Sequence, residues 1–188
     1  MKPRYKSASA LLIGLTLLTG YSTTASAQNA AGRGVRAICC KCIDGQKPTV
    51  SVNTGSAPWM LNGAIANAAS NPAWTALAPA SWVGPATSAS NTDYTYTLTI
   101  IVPKCTLAAR AVSVEGQFAA DNRATAYMDG NPIGTSTGYT SAGVANFTAT
   151  GLLPGPHTLK IVVRNDTGPT SLIVRGQVTT ACPSQIEQ

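Results

Sequence analysis

The chain has 188 residues, of which only 11% are charged, and thirteen Lys and Arg against seven Asp and Glu give a formal net charge of +6. This length suits one domain with a sizeable hydrophobic core. Lys2, Arg4 and Lys6 account for three of the cations, so the rest of the chain carries ten cations against seven anions. A nucleic-acid surface needs clustered cations interleaved with stacking aromatics, and this pattern is not seen. We therefore predict no nucleic-acid partner.

Residues 1–27 have the pattern of a secretory signal peptide. The early cations precede an apolar run at residues 10–18, and Ala-Ser-Ala at residues 25–27 supplies a cleavage site before Gln28. The apolar run is shorter than the roughly 20 residues that span a bilayer, and no later segment is long and apolar enough. We predict an exported protein, periplasmic or extracellular, with no transmembrane segment.

Five cysteines follow the cleavage site, three of them in a basic arm at residues 28–47: Cys39, Cys40, Cys42, Cys105 and Cys182. In an oxidising compartment their default use is disulfides. The favoured pairing joins two arm cysteines to Cys105 and Cys182, and the alternative is a Cys105–Cys182 bridge with one bridge inside the arm. A bridge between Cys39 and Cys40 would be strained. The odd number leaves one thiol unpaired, which could link two chains as a covalent dimer.

The Cys-Cys-Lys-Cys run of the arm also presents three soft thiolates, which suit Cu(I) or a zinc site. Zinc sites, however, repeat a Cys-x2-Cys spacing or add histidines, and the one histidine, His157, is distant in the sequence. We therefore predict disulfides and no metal at the arm.

From residue 48 onwards the pattern is that of short strands separated by Gly- and Pro-rich turns. A short strand at 49–53 comes first. Residues 62–70 are compatible with a helix, although Gly63 and Pro72 limit it, and residues 74–85 resemble an extended loop held by buried aromatics. The alternation of apolar and polar residues that is typical of a strand is clearest at 94–102. There Tyr94 and Tyr96 lie on one face and threonines lie on the other. Further strands are predicted at 111–118, 123–128, 144–148, 157–164 and 171–179.

Residues 112–130 are predicted to form a hairpin, two strands joined by a polar Ala-Asp-Asn corner, and then a tight Asp-Gly turn. Together with Pro-Gly-Pro-His-Thr-Leu-Lys-Ile-Val-Val-Arg-Asn at 154–165, this order resembles the galactose-binding-like jelly rolls, which include carbohydrate-binding-module-like domains. The resemblance covers about residues 50–178. It implies an all-β antiparallel sandwich of jelly-roll topology with about 8–9 strands at 48–183, followed by a tail at 184–188. Asp129 and His157 depart from the family, which commonly has Asn at both positions.

Such domains often bind glycans, sometimes with a structural calcium, and two polar strand ends are the candidates for this role. Asp121 and Asn122 occupy the corner, and Asn165 and Asp166 end a later strand. Their oxygens suit a sugar hydroxyl or Ca²⁺, whereas Asp and Asn also bond their own backbone in turns. If the strand order joins these ends, four oxygen-bearing side chains converge.

Sugar binding also benefits from a flat aromatic face. The candidate platforms are Trp59, Trp74, Trp82 and Tyr139, of which Tyr139 lies in a Gly- and Ser-rich loop. A core position is the alternative for each Trp, because large aromatic side chains strongly favour burial.

Catalytic constellations are scarce. A Ser-His-Asp triad would depend on His157 with no nucleophile elbow to support it. A glycosidase pair would need two acids facing each other across a cleft, and the few in the β-core are Asp93, Glu115, Asp121, Asp129 and Asp166. We predict no catalytic residues. The favoured function is non-catalytic recognition of carbohydrate or a cell-surface polymer through loop residues. The alternative is a structural or adhesive β-sandwich that self-associates or binds a protein partner.

Overall fold

The computed structural model describes residues 34–37, 47–104 and 112–181. The predicted signal peptide, all five cysteines and the C-terminal tail lie outside these residues, so the disulfide, dimer and cleavage predictions stay predictions. Within the described residues, no helix is long and apolar enough to cross a membrane.

The described residues contain thirteen strands, more than the eight or nine predicted, and a single turn of 3₁₀ helix (Ser141–Gly143). The strands are β1 (Gly34–Arg36), β2 (Thr49–Ser51), β3 (Met60–Leu61), β4 (Ala64–Ile65), β5 (Asn67–Ala68), β6 (Val83–Gly84), β7 (Thr92–Val102), β8 (Val112–Asp121), β9 (Arg123–Met128), β10 (Asn131–Ser136), β11 (Ala145–Leu152), β12 (Gly155–Asn165) and β13 (Ser171–Thr180).

The strands form two sheets that face each other as a sandwich. The seven-stranded sheet has the order β10-β9-β12-β7-β3-β4, with β1 added to β7, and the six-stranded sheet has the order β11-β8-β13-β6-β5, with β2 added to β13. All pairs are antiparallel except β1 with β7. From β7 to β13 the chain passes repeatedly between the two sheets. This alternation confirms the predicted all-β jelly-roll sandwich.

The core lies between the sheets and follows the predicted parity. On β7, Tyr96, Leu98 and Ile100 are at most 1% exposed, while the intervening threonines point outward. Facing side chains of the other sheet, Val114 and Phe118 among them, belong to the same cluster. Each such buried side chain stabilises the fold by about 1.5–3 kcal/mol.

The connection between β8 and β9 corrects one prediction. Residues 112–128 were expected to form a hairpin, but β8 pairs with β11 and β13, whereas β9 pairs with β10 and β12. The Asp121–Asn122 corner therefore carries the chain from one sheet to the other. The tight turn that follows is confirmed: Asp129 and Gly130 have φ of 49° and 88° and join β9 to β10 in a hairpin.

Residues 62–70, which are helix-compatible in composition, form strands instead. Asn62 and Gly63 adopt positive φ in a turn between β3 and β4. The backbone N–H groups of Ala66 and Ala69 donate to the carbonyls of Trp59 and Trp82 at 3.0 and 2.9 Å. A nine-residue helix is marginal alone, so hydrogen bonds to distant strands determine the conformation.

A loop covers part of the outer face of the six-stranded sheet, as expected for residues 74–85. Leu77 and Trp82 from this loop are buried against Ala119 of β8 and Ile173 of β13. These contacts form a second, smaller apolar cluster outside the sandwich. The loop therefore divides this outer face into a covered part and an open part.

Candidate functional site

The Asp121–Asn122 corner is a closed network of hydrogen bonds. Asp121 is 4% exposed, and its carboxylate oxygens accept from Trp74 Nε1 and Asn122 Nδ2, both at 2.8 Å. Burial raises the pKa of Asp121, and the hydrogen bond from Trp74 only partly offsets this. The Asp121 carbonyl also accepts from the Thr170 hydroxyl. Each Asp121 carboxylate oxygen therefore already has an internal donor.

The predicted convergence of the two strand ends is found for Asn122 and Asp166. Asn122 Oδ1 accepts from the backbone N–H of Asp166 at 2.8 Å. The Asp166 carboxylate pairs with Arg123 at 2.7 Å and Arg164 at 3.5 Å. Asn165 instead points inward, fully buried, and its Nδ2 donates to the carbonyls of residues 89 and 168 at 2.9 and 3.1 Å.

The carboxylates of this corner are engaged by donors of the protein itself. The Asp121 oxygens are occupied by Trp74 and Asn122, and Asp166 faces two arginines. Among residues 34–37, 47–104 and 112–181, no group of three or more His, Cys, Asp or Glu could hold a metal. The role of the corner in ligand binding stays a prediction.

The candidate aromatic platforms are largely internal. Trp59 is 2% exposed and Trp82 is 8% exposed. Their indole N–H groups donate to the carbonyls of Val52 at 2.9 Å and Thr75 at 2.7 Å. Both side chains therefore occupy core positions, the alternative predicted from the sequence for each Trp. Tyr139 is half-buried against the second cluster and keeps part of its surface in solvent.

A groove of about 710 Å³, lined mainly by polar residues, lies on the open part of the six-stranded sheet's outer face. We call it the sheet-face groove and define it by the side chains of Glu115, Gln117, Asn146, Thr148, Arg175 and Gln177. Strand register places them in two rows. Asn146, Gln117 and Arg175 are neighbours across β11, β8 and β13, as are Thr148, Glu115 and Gln177. Ser51 of β2 extends the second row, and Pro79 of the covering loop also lines the groove.

Hydrogen bonds organise these rows but leave capacity for a ligand. Gln117 donates to Asn146 Oδ1 at 3.2 Å and accepts from Arg175 Nη2. Gln177 donates to Glu115 Oε1 at 3.1 Å. Glu115 and Arg175 are exposed. Among the residues that line the groove, Glu115 is the only carboxylate, so the described groove holds no pair of acids for glycoside hydrolysis.

Two glycines hold the floor of the groove close to the core. Gly116 and Gly176 are directly paired, and Phe147 pairs with Gly116 from the other side. A Cβ on either glycine would meet the Phe147 ring, at 2.7 Å from Gly116 and 3.0 Å from Gly176. The absence of side chains here lets the phenyl ring pack beneath the sheet.

The two departures from the family pattern, Asp129 and His157, contact each other. His157 Nδ1 lies 2.6 Å from an Asp129 carboxylate oxygen, and Nε2 lies 2.7 Å from the Leu153 carbonyl. Because a carboxylate and a carbonyl both accept, this arrangement favours the protonated imidazolium, which can donate from both nitrogens. Burial lowers the pKa of His157, but the hydrogen bonds to Asp129 and Leu153 outweigh it and raise this pKa overall.

No protein-family model and no curated protein sequence matches the chain. Among solved structures, the CBM36-1 domain of a multidomain xylanase from the hindgut metagenome of Trinervitermes trinervoides is 18% identical, with 72% of this chain and 99% of that domain covered and a TM-score of 0.38. A CBM36 carbohydrate-binding module in complex with calcium and xylotriose is 16% identical, with coverage of 69% and 98% and a TM-score of 0.38.

An FMN-binding β-glucuronidase from Facaelibacterium prausnitzii L2-6 is 23% identical over 68% of this chain, with a TM-score of 0.36, and only 22% of the glucuronidase is covered. These likenesses concern the fold alone. The all-β sandwich of this chain is established by its own strand pairing.

Proposed function

We propose that this protein is an exported, non-catalytic binding module that recognises carbohydrate or a cell-surface polymer in the sheet-face groove. The observation that carries the proposal is the set of polar side chains aligned in two rows on an open sheet face. The groove has a volume of about 710 Å³ and is open to solvent. A polymer can lie across an open face of this kind.

The chemistry of the lining matches sugar hydroxyls. A hydroxyl both donates and accepts, and so does the amide of Gln117, Gln177 or Asn146. Glu115 adds an acceptor and Arg175 adds donors. Peptide ligands that add a strand to a sheet need a free strand edge. Within the groove β8 and β13 are already paired on both sides, whereas β11 lies at the end of its sheet. The groove therefore favours a ligand that is bound through side chains.

The proposed groove site and the predicted loop site depend on different side chains for binding. Gln117 is central to one row of the groove, whereas Tyr139 lies on the loop after β10. Losing one neutral hydrogen-bonding side chain costs about 0.5–1.5 kcal/mol, so Gln117→Ala should weaken binding roughly two- to tenfold. Tyr139→Ala should leave the affinity unchanged.

A broad glycan array, followed by titration calorimetry of the best ligand, tests the proposal. Thr125→Ala, on the outer face of the other sheet, is the matched control. Loss of binding in Tyr139→Ala but not in Gln117→Ala would move the site to the loop. A blank array would contradict carbohydrate recognition and favour the structural or adhesive alternative.

A further inference from the structure

We propose that the sheet-face groove selects acidic glycans, meaning sugars that carry a carboxylate, and that Arg175 binds that carboxylate. The inference rests on the proposed function and adds the chemical class of the ligand. The Arg175 guanidinium contacts only neutral acceptors among the described residues, the Gln117 side chain and the Ala78 carbonyl, the latter at 3.4 Å. Among the described residues, no carboxylate lies within ion-pair distance of it.

The other arginines of the long strands contrast with Arg175. Arg123 pairs with Asp166 at 2.7 Å, and Arg164 lies 3.4 Å from Asp93. Within the described part of the chain, Arg175 forms no ion pair. A guanidinium has five N–H donors in a rigid fork that matches a carboxylate, and the two contacts of Arg175 leave donors for a ligand. Because it is exposed, a ligand can reach it without rearrangement.

The surroundings hold Arg175 ready for such a ligand. Gln117, directly across the strand pair, accepts from one end of the guanidinium, and Ala78 in the covering loop accepts from the other. A side chain that is already positioned loses less conformational entropy when it binds. Charge-assisted hydrogen bonds are also roughly twice as strong as neutral ones, so Arg175 should dominate the affinity for an acidic sugar.

Glu115 determines how the acidic sugar would lie. It occupies the neighbouring row, two residues from Gln117 along β8, where Gln177 donates to it. Its carboxylate repels a second anion but accepts from hydroxyls. The ligand would therefore place its carboxylate at Arg175 and present hydroxyls at Glu115, which favours chains in which acidic groups are spaced by neutral positions.

The test compares uronate-containing oligosaccharides with the same compounds after methyl esterification, which removes the charge and keeps the hydroxyls. We expect the acidic forms to bind more tightly, and Arg175→Gln to weaken them about ten- to a hundredfold. Lys160→Gln is the control, because it makes the same charge change on the outer face of the other sheet, beside Tyr127. Glu115→Gln should strengthen acidic ligands. Thermal unfolding of each variant verifies that it is folded.

The possible failures are distinguishable. Equal binding of acidic and esterified forms, or equal effects of Arg175→Gln and Lys160→Gln, would overturn the selection of acidic glycans while leaving carbohydrate recognition intact. No binding of either form, together with a blank array, would overturn the proposed function itself. Arg175→Lys keeps the charge without the planar fork and should fall between the wild type and Arg175→Gln.

Discussion

Replacing Gly116 with alanine tests whether the groove floor is packed tightly from the core side. The new Cβ would lie 2.7 Å from both the Phe147 ring and the Gly176 Cα, and would also meet the Arg175 carbonyl. Two of these neighbours are backbone, so the sheet itself must move. Overpacking of this kind costs about 1–3 kcal/mol. For a domain of this size that corresponds to a fall in Tm of roughly 3–12 °C.

Thermal and urea unfolding followed by circular dichroism would measure this loss. Gly138→Ala is the matched control, because its Cβ would meet nothing closer than the Asn122 carbonyl oxygen at 3.7 Å. The backbone of Gly138 also lies outside the left-handed region that favours glycine. That change should be neutral or slightly stabilising, since alanine reduces the freedom of the unfolded chain. Equal stability of the Gly116→Ala and Gly138→Ala proteins would refute the packing argument.

Two further predictions concern buried and paired charges. Because the pKa of His157 is raised, its stabilising contribution is complete below about pH 6.5 and is lost as the pH rises through the raised value. The pKa of Asp129 is lowered, because its bonds to His157 and to the Thr158 backbone outweigh the effect of burial. Its contribution to the free energy of unfolding is therefore lost only as the pH falls through this lowered pKa. The free energy of unfolding should fall by up to about 1 kcal/mol from pH 6.5 to 9, and an equal fall in Asp129→Asn would contradict this. Separately, Trp74→Phe removes a hydrogen-bond donor from the buried Asp121 carboxylate. It should lower the free energy of unfolding at pH 7, measured with urea, by about 1–3 kcal/mol. Unchanged stability would show that this hydrogen bond contributes nothing.

The strands that could be predicted are those in which side-chain parity and burial agree. For β7, alternating apolar positions indicated both the strand and its inward face, and the β9 bounds were predicted residue for residue. The Asp129-Gly130 turn was also recognisable, because both residues tolerate positive φ. In each case the conformation is determined by a few residues that are neighbours in the sequence.

Pairing between distant segments could not be predicted in the same way. The Thr54 hydroxyl accepts from the backbone N–H of Val174, 120 residues away, at 3.0 Å. The short strands β4 and β5 likewise exist because they meet partners at sheet edges. Nor does local sequence show that β8 and β9 belong to different sheets, since a corner and a hairpin turn use the same polar residues.

The groove illustrates the same limit at the level of function. Its residues were visible as polar positions of predicted strands, Glu115 and Gln117 on one and Arg175 and Gln177 on another, but only the β8–β13 register makes them neighbours. One signal was available: long amide and charged side chains replace the threonines that occupy the outward positions of β7. Long polar side chains cost more conformational entropy to order than threonine does. The part of the outer sheet face that the loop leaves open carries several long polar side chains. This favours a role in binding over a role in solubility alone.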